Sequence, residues 1–126
     1  MRCRWRLLSL LIVSAGSLLF GAAGDGAWLR NVPAEQRQRA NPFAEDSRAV
    51  TSGEKLFEEN CSKCHGKNAE GRGRRPALRS ARVRDASPGE LEWLLTNGSL
   101  RNGMPSWARL PEQQRWQLVA FLKSLQ

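Results

Sequence analysis

Two cysteines and a histidine lie within one five-residue segment in the middle of the chain. The segment reads Cys61-Ser62-Lys63-Cys64-His65, and this spacing is the attachment pattern for a c-type haem. Each thiol adds to one vinyl group of the porphyrin and becomes a thioether. The adjacent histidine then lies under the ring, where a ring nitrogen binds the iron. The pattern therefore predicts one covalent haem held by Cys61 and Cys64, with His65 as an iron ligand.

Three other interpretations of this segment are weaker. A thioredoxin-like redox pair needs a strand before the cysteines and a helix after them, whereas the flanks here are helix-forming before and glycine-rich after. A tetrahedral zinc site needs about four ligands, and the only other cysteine, Cys3, lies in a predicted targeting segment. A chance match in a loop is the third interpretation. An export segment and a second candidate ligand downstream favour haem.

Met104 is that second candidate, because the chain offers few alternatives. His65 is the only histidine, and the only other methionine is Met1, at the start of the predicted targeting segment. Gly103 lets the backbone approach closely and Pro105 stiffens it, so that a loop here can hold a thioether against iron. The alternative is that Met104 only fills a gap in the core.

Three helices are predicted from capping residues and apolar spacing. The first begins at Thr51 or Ser52. The second begins at Ser87-Pro88-Gly89-Glu90, a cap followed by proline and an acid, and ends at Asn97-Gly98. The third begins at Pro111 and carries an apolar stripe. Residues 66–86 are rich in glycine and proline, which predicts irregular structure. The fold class is therefore all-α.

Two segments precede the predicted domain. Residues 1–23 have a basic start, an apolar run and small residues before a cleavage point after Ala23, which is typical of an export signal. The alternative is an uncleaved membrane anchor, since the apolar run is at the short end of what spans a bilayer. Residues 24–50 are predicted to be an extended lead-in, with a short helix over residues 34–40. Either this segment lies against the domain, through Trp28, Val32 and Phe43, or it is a flexible tether.

The chain is basic, with 20 Lys and Arg residues, 12 Asp and Glu residues and a net charge of +8. Export argues against a nucleic-acid partner, so an acidic protein or an anionic membrane surface is favoured. No phosphate-binding loop, Ser-His-Asp set or spare histidine is present for enzymatic acid–base chemistry. The densest basic run is predicted to lie on the histidine side of the haem and consists of Arg72, Arg74, Arg75, Arg79, Arg82 and Arg84.

The haem motif, the Gly103-Met104-Pro105 loop and the C-terminal stripe from Trp116 to Leu122 together resemble a class I c-type cytochrome over residues 51–126. The resemblance implies a small fold of helices wrapped around one haem, with the first and last helices crossing where Gly53 meets Phe121. It also implies that His65 and Met104 bind the iron from opposite sides. Pro76 matches the position whose carbonyl accepts the second ring N–H of the histidine, which orients that ligand.

The function that the resemblance implies is a periplasmic carrier of single electrons rather than an enzyme. One alternative is a haem-bearing subunit of a quinoprotein dehydrogenase or of a terminal oxidase, and these are also the expected redox partners. Another follows if Met104 does not bind iron: the open site would then suit a peroxidase-like enzyme or a gas sensor. Membrane contact is expected only if the N-terminal segment is uncleaved.

Overall fold

The structure is a computed structural model that describes residues 27–126, so the predicted export signal, residues 1–23, lies outside the described residues. The regular elements in this range are all helical, which confirms the predicted class. They are a first 3-10 helix Ala27–Asn31, α1 Ala34–Arg37, α2 Ser47–Asn60, α3 Ser62–His65, α4 Ala81–Asp85, α5 Pro88–Asn97, a second 3-10 helix Leu100–Asn102 and α6 Glu112–Ser124. Between residues 27 and 126, β-structure is limited to two isolated bridges, Arg72 with Arg75 and Ser99 with Met104.

Helices α2 and α6 cross at close range and build most of the core. Gly53 lies at the crossing, where a Cβ atom would be 2.0 Å from the Gln117 carbonyl oxygen and 2.9 Å from the Phe121 Cβ. Beside it, the rings of Phe57 and Phe121 pack with centroids 5.3 Å apart. The predicted meeting of Gly53 and Phe121 is therefore confirmed, and only a residue without a side chain allows this approach.

The start of α2 differs from the prediction. The helix begins at Ser47, and its cap is Asp46, whose carboxylate accepts a hydrogen bond from the Arg48 backbone N–H at 2.9 Å. The prediction of a cap at Thr51 or Ser52 was wrong. Thr51 is in the helix, and its hydroxyl donates to the Ser47 carbonyl one turn earlier. The helix begins at the earlier cap because Asp46 already satisfies a free backbone N–H there, and the residues that follow it are compatible with a helix.

Helix α5 begins and ends as predicted. The Ser87 hydroxyl accepts from the Glu90 N–H at 3.1 Å, and the Glu90 carboxylate accepts from the Ser87 N–H at 2.7 Å. This reciprocal capping box satisfies two backbone donors. Gly98 follows the helix with a φ of 69°.

Helix α6 buries a continuous run of residues, from Leu118 to Leu122. It begins after Pro111, as predicted, and Leu118 and Val119 are among the most deeply buried side chains of the described range, together with Phe57. The apolar spacing in the sequence therefore predicts the correct buried face. The Lys123 side chain, near the end of α6, donates to the carbonyls of Arg84 and Ala86 at the end of α4.

The lead-in packs against α5 and α6. Val32 is buried, and the buried Asn41 side chain donates to the Trp116 carbonyl at 2.9 Å. Helix α1 is shorter than predicted and comes so close to α5 that a Cβ on Gly89 would be 1.8 Å from the Gln36 carbonyl oxygen. An ionic clasp joins these elements and consists of Arg37, Arg39, Glu90, Glu92, Glu112 and Arg115.

Among residues 27–126, no helix has both the length and the apolar character needed to cross a membrane.

Candidate functional site

The cysteine–histidine motif occupies a single turn of helix at the end of α2. Cys61 ends that helix, and its carbonyl accepts from the backbone N–H groups of Cys64 and His65 at 3.0 Å and 2.9 Å. Residues three and four apart share one face of a helix. The two thiols and the imidazole are therefore presented on the same side of the chain. Both thiols are free, the Cys61 side chain being half-buried and that of Cys64 exposed.

The two thiols differ in their electrostatic environment. Burial, with a smaller contribution from the nearby Cys64, raises the pKa of the Cys61 thiol to about 11. Cys61 is therefore a neutral thiol at pH 7, as expected for a sulfur that lies against the apolar core.

His65 is oriented by the residue that the resemblance indicated. Its Nδ1 lies 2.9 Å from the Pro76 carbonyl oxygen. Because a carbonyl only accepts hydrogen bonds, Nδ1 carries the proton and Nε2 keeps its lone pair. This is the tautomer that a metal-binding imidazole requires, and the bond to Pro76 fixes the ring plane and raises the basicity of Nε2.

The segment between His65 and Pro76 is a compact loop that needs left-handed backbone at several points. Gly66 and Gly71 have φ values of 84° and 85°, which residues with side chains rarely adopt. The Gly71 N–H donates to the His65 carbonyl at 2.7 Å, and the Leu78 N–H donates to the Ala69 carbonyl at 2.8 Å. These bonds fold the loop back so that Pro76 faces the imidazole.

Met104 lies on a second loop, which returns to the end of α5. Ser99 and Met104 exchange backbone hydrogen bonds of 2.8 Å and 3.0 Å, and Gly103 makes the turn between them with a φ of 75°. Farther along, the Trp107 N–H donates to the Leu95 carbonyl at 2.8 Å. We call residues 98–107 the methionine loop. Its backbone is held at both ends, so that Met104 has a defined position.

The apolar surroundings fit a large, flat, hydrophobic cofactor. Cys61, Leu78 and Met104 are all partly buried and pack against the same core cluster, to which Trp107 also belongs. These residues come from the end of α2, from the segment just after Pro76 and from the methionine loop. Together with Cys64 and His65, the chain offers a thioether sulfur, an oriented imidazole and two free thiols, which are donor types that fit a thioether-linked haem.

The arginine run does not lie wholly on the histidine side, where it was predicted to lie, because Arg75 reaches the methionine loop. The Arg72 guanidinium donates to the Lys63 carbonyl at 3.3 Å, and that of Arg75 donates to the Asn102 carbonyl at 2.8 Å in the methionine loop. Arg79 instead donates to the Asn68 carbonyl. The contact of Arg75 joins residues 27 positions apart in the sequence, which composition does not reveal. Arg75 was therefore missed as a contact of the methionine loop.

A polar cavity of about 350 Å³ lies elsewhere, beside the ionic clasp. Its lining includes Arg39, Glu92, Trp93 and Arg115, and none of the predicted site residues. The charged groups in it pair with one another: Glu92 contacts Arg115 at 2.8 Å and Arg39 at 3.6 Å. The ion pairs that line this cavity join the lead-in to α5 and α6, and the cavity is not part of the site.

Comparison with known families agrees with this geometry. The family described as cytochrome c oxidase, cbb3-type, subunit III, matches residues 48–122, which is more than half of the chain. The chain belongs to the class I c-type cytochromes. Haem c, bound covalently, is the cofactor of this family, and Cys61 and Cys64 of this cytochrome are positioned for it.

Individual relatives support the same assignment. The cytochrome is 32% identical over 91 residues to cytochrome c550 of Pseudomonas aeruginosa, covering 67% of this chain and 61% of that protein. Cytochrome cL of Methylophaga aminisulfidivorans superposes with a TM-score of 0.59 at 29% identity, covering 68% of this chain and 58% of that one.

A more distant solved structure shares the fold alone. Cytochrome cL of Hyphomicrobium denitrificans superposes with a TM-score of 0.55 at 21% identity, covering 76% of this chain and 64% of that one. This cytochrome therefore spans about six tenths of the length of each of these three relatives.

Proposed function

We propose that this cytochrome carries single electrons between redox proteins outside the cytoplasm and transforms no substrate. Bound haem c supplies an iron that alternates between the ferrous and ferric states. Cys61 and Cys64 would hold the haem through thioethers, and His65 would bind its iron through the imidazole. Backbone hydrogen bonds hold the segments that carry these residues. Their positions therefore need not change when the charge of the iron changes.

The closed loop that holds Met104 is the observation that carries the proposal, in which Met104 would be the second iron ligand. The methionine loop is closed by the Ser99–Met104 backbone pair, and the side chain of Met104 packs against the same apolar cluster as Cys61. A thioether ligand favours ferrous iron and raises the potential relative to a second imidazole. Two protein ligands also leave no coordination position for a substrate, which suits a carrier.

The location and partner belong to the same proposal. The basic, then apolar, N-terminal stretch supports export to the periplasm, with membrane attachment only if that stretch stays uncleaved. The positive net charge favours an acidic redox protein as the partner. A periplasmic quinoprotein dehydrogenase and a terminal oxidase are the two candidate classes.

A second candidate is a fixed subunit or domain of such a complex rather than a free carrier. The match to an oxidase-subunit family favours it. Co-purification distinguishes the two: a subunit stays with its complex at high salt, whereas a carrier dissociates. A third, an open-site peroxidase or gas sensor, requires that Met104 not bind iron.

The Met104→Ala variant tests the axial ligand. We expect this variant to lose the weak far-red absorption band of ferric methionine-ligated haem, to have a lower reduction potential and to bind carbon monoxide readily in the ferrous form. Leu100→Ala, on the same loop but exposed, is the matched control and should behave as the wild type. A variant spectrum like that of the wild type, or rapid carbon monoxide binding by the wild type itself, contradicts the proposal. Both proteins should retain haem after denaturation, because the thioethers are untouched.

A further inference from the structure

Arg75 lies between the two segments that carry the axial residues. It directly precedes Pro76, whose carbonyl orients His65. The Arg75 side chain donates to the carbonyl of Asn102 at 2.8 Å, and Asn102 lies two residues before Met104. One short stretch of chain is therefore bonded to the histidine through its backbone and to the methionine loop through its side chain.

The backbone of Arg75 is fixed independently of that side chain. Arg72 and Arg75 exchange backbone hydrogen bonds of 3.1 Å and 2.8 Å across a turn. Gly71 packs so closely that a Cβ there would be 2.8 Å from the Arg75 carbonyl oxygen. The backbone that carries the guanidinium is therefore rigid. Binding of the guanidinium to the methionine loop then costs less conformational entropy than it would from a flexible backbone.

The methionine loop is shaped to receive the guanidinium. Gly103 has a left-handed φ, and a Cβ at that position would be 2.7 Å from Arg75 Nη1. A side chain on residue 103 would therefore displace the arginine. A hydrogen bond from a cation to a carbonyl is also stronger than one between neutral groups.

We propose that Arg75 is a positioning residue that holds the methionine loop closed, so that Met104 stays on the iron when a competing ligand is present. This inference rests on the proposed Met104 ligation. Opening of the loop breaks the bond between Arg75 and the Asn102 carbonyl, and that bond opposes the opening. Arg75 acts through the loop and touches neither Met104 nor iron in this role.

The expected size of the effect follows from the bond. Losing one charge-assisted hydrogen bond at a half-exposed position changes an equilibrium by about tenfold. Arg74 is the matched control, because it is adjacent, exposed and carries the same charge. Comparing Arg75→Gln with Arg74→Gln separates the contact from the loss of one positive charge.

The test measures binding of imidazole to the ferric holoprotein, together with the far-red band. We expect Arg75→Gln to bind imidazole about ten times more tightly than the wild type, and Arg74→Gln to match the wild type. Arg75→Lys, which keeps the charge but loses the fork, should lie between them. The covalent haem content should be equal in all four proteins.

The outcomes are distinguishable. Equal imidazole affinities for Arg75→Gln and Arg74→Gln overturn the inference while leaving Met104 ligation intact. A wild type without the far-red band overturns both proposals together. If Arg75→Gln fails to accumulate as holoprotein, the test rests on Arg75→Lys, and an imidazole affinity equal to that of the wild type overturns the inference.

Discussion

Arg39 makes more separate contacts than any other side chain of the ionic clasp. Its guanidinium lies 3.6 Å from the Glu92 carboxylate, pairs with Glu112 and stacks over the Trp116 ring at 5.0 Å. Glu92 is almost fully buried, and a buried carboxylate needs partners to remain charged. Arg39 therefore ties the lead-in to α5 and to α6 with a single residue.

Replacing Arg39 should loosen this clasp without affecting the haem. We expect Arg39→Gln to lower the free energy of unfolding by about 1–2 kcal/mol, from a partly exposed ion pair and a cation–π contact. Arg115 still pairs with Glu92, which limits the loss. Arg30→Gln, an exposed arginine of the lead-in, is the control. Chemical unfolding of the holoproteins measures the difference, and equal values for both variants would mean that the clasp contributes nothing.

The ion pair between Arg39 and Glu112 should make the stabilising effect of Arg39 depend on pH. The hydrogen bond from Arg39 lowers the pKa of Glu112, with a smaller contribution from Trp116. A carboxyl with a lower pKa in the folded state adds stability above its unfolded pKa and loses it as the pH falls through the folded value. The difference between wild type and Arg39→Gln should therefore shrink below the ordinary pKa range of a glutamate. An equal difference at neutral and strongly acidic pH would exclude Glu112 as the partner that matters.

At the scale of helices, the crossing of α2 and α6 depends on Gly53. The backbone of Gln117 lies where a side chain on residue 53 would be. Helix propensity alone predicts that Gly53→Ala stabilises α2 by about 1 kcal/mol. Steric overlap with backbone predicts the opposite, because a backbone carbonyl cannot rotate away as a flexible side chain can.

We expect the cost of the steric overlap to exceed the gain in helix propensity. Gly53→Ala should destabilise the holoprotein by about 1–3 kcal/mol, and Gly53→Val by more, with the ligand spectrum unchanged. Glu54→Ala, the next and exposed position of α2, controls for helix propensity. Thermal unfolding followed by circular dichroism is a sufficient measurement. Stabilisation by Gly53→Ala would show that the helices separate at this point without cost.

The features that sequence could predict are the local ones. The capping box at Ser87 and Glu90, the break at Gly98 and the buried face of α6 follow from neighbouring residues. The attachment motif is local as well, since it fits in one helical turn. The Pro76 contact was available only through family resemblance, since eleven positions of irregular loop separate it from His65.

The features that sequence could not predict pair residues far apart in the chain. Arg39 and Glu112 are distant in sequence, as are Arg75 and Asn102, and nothing in their spacing selects one arginine from its neighbours. Lys123 is a further case: its burial lowers the pKa of its ammonium group, yet it bonds to three carbonyls near the end of α4. Such contacts depend on how helices are placed in space, which local patterns leave undetermined.

For the molecule as a whole, basic residues connect the attachment helix with the methionine loop. We call Lys63, Arg72, Arg75 and Arg101 the basic strip. Arg72 contacts the Lys63 carbonyl and Arg75 contacts Asn102, next to Arg101, so the strip is continuous. Leu100, beside Arg101, is 75% exposed and is the large apolar side chain most open to solvent among those described. This surface combines positive charge with an apolar tip.

Long-range attraction by the basic strip should accelerate docking to an acidic redox protein. We expect the second-order electron-transfer rate to fall as ionic strength rises. Lys63→Glu and Arg101→Glu should slow it more than Arg79→Glu, which makes the same change of charge outside the strip. Stopped-flow mixing at several salt concentrations measures this. A salt-independent rate would indicate apolar docking or a permanent complex, and equal effects of all three substitutions would show that only net charge matters.

The α2–α6 crossing also has a consequence for the order of events in biogenesis. Gly53 and Phe121, which meet at the crossing, are separated by more than half of the chain. Cys61 and Cys64 follow Gly53 within about three helical turns, whereas α6 is the last described element to be synthesised. Both thiols are thus synthesised before the helix that closes the fold over them. The residues that attach the cofactor precede the last part of the core that surrounds them.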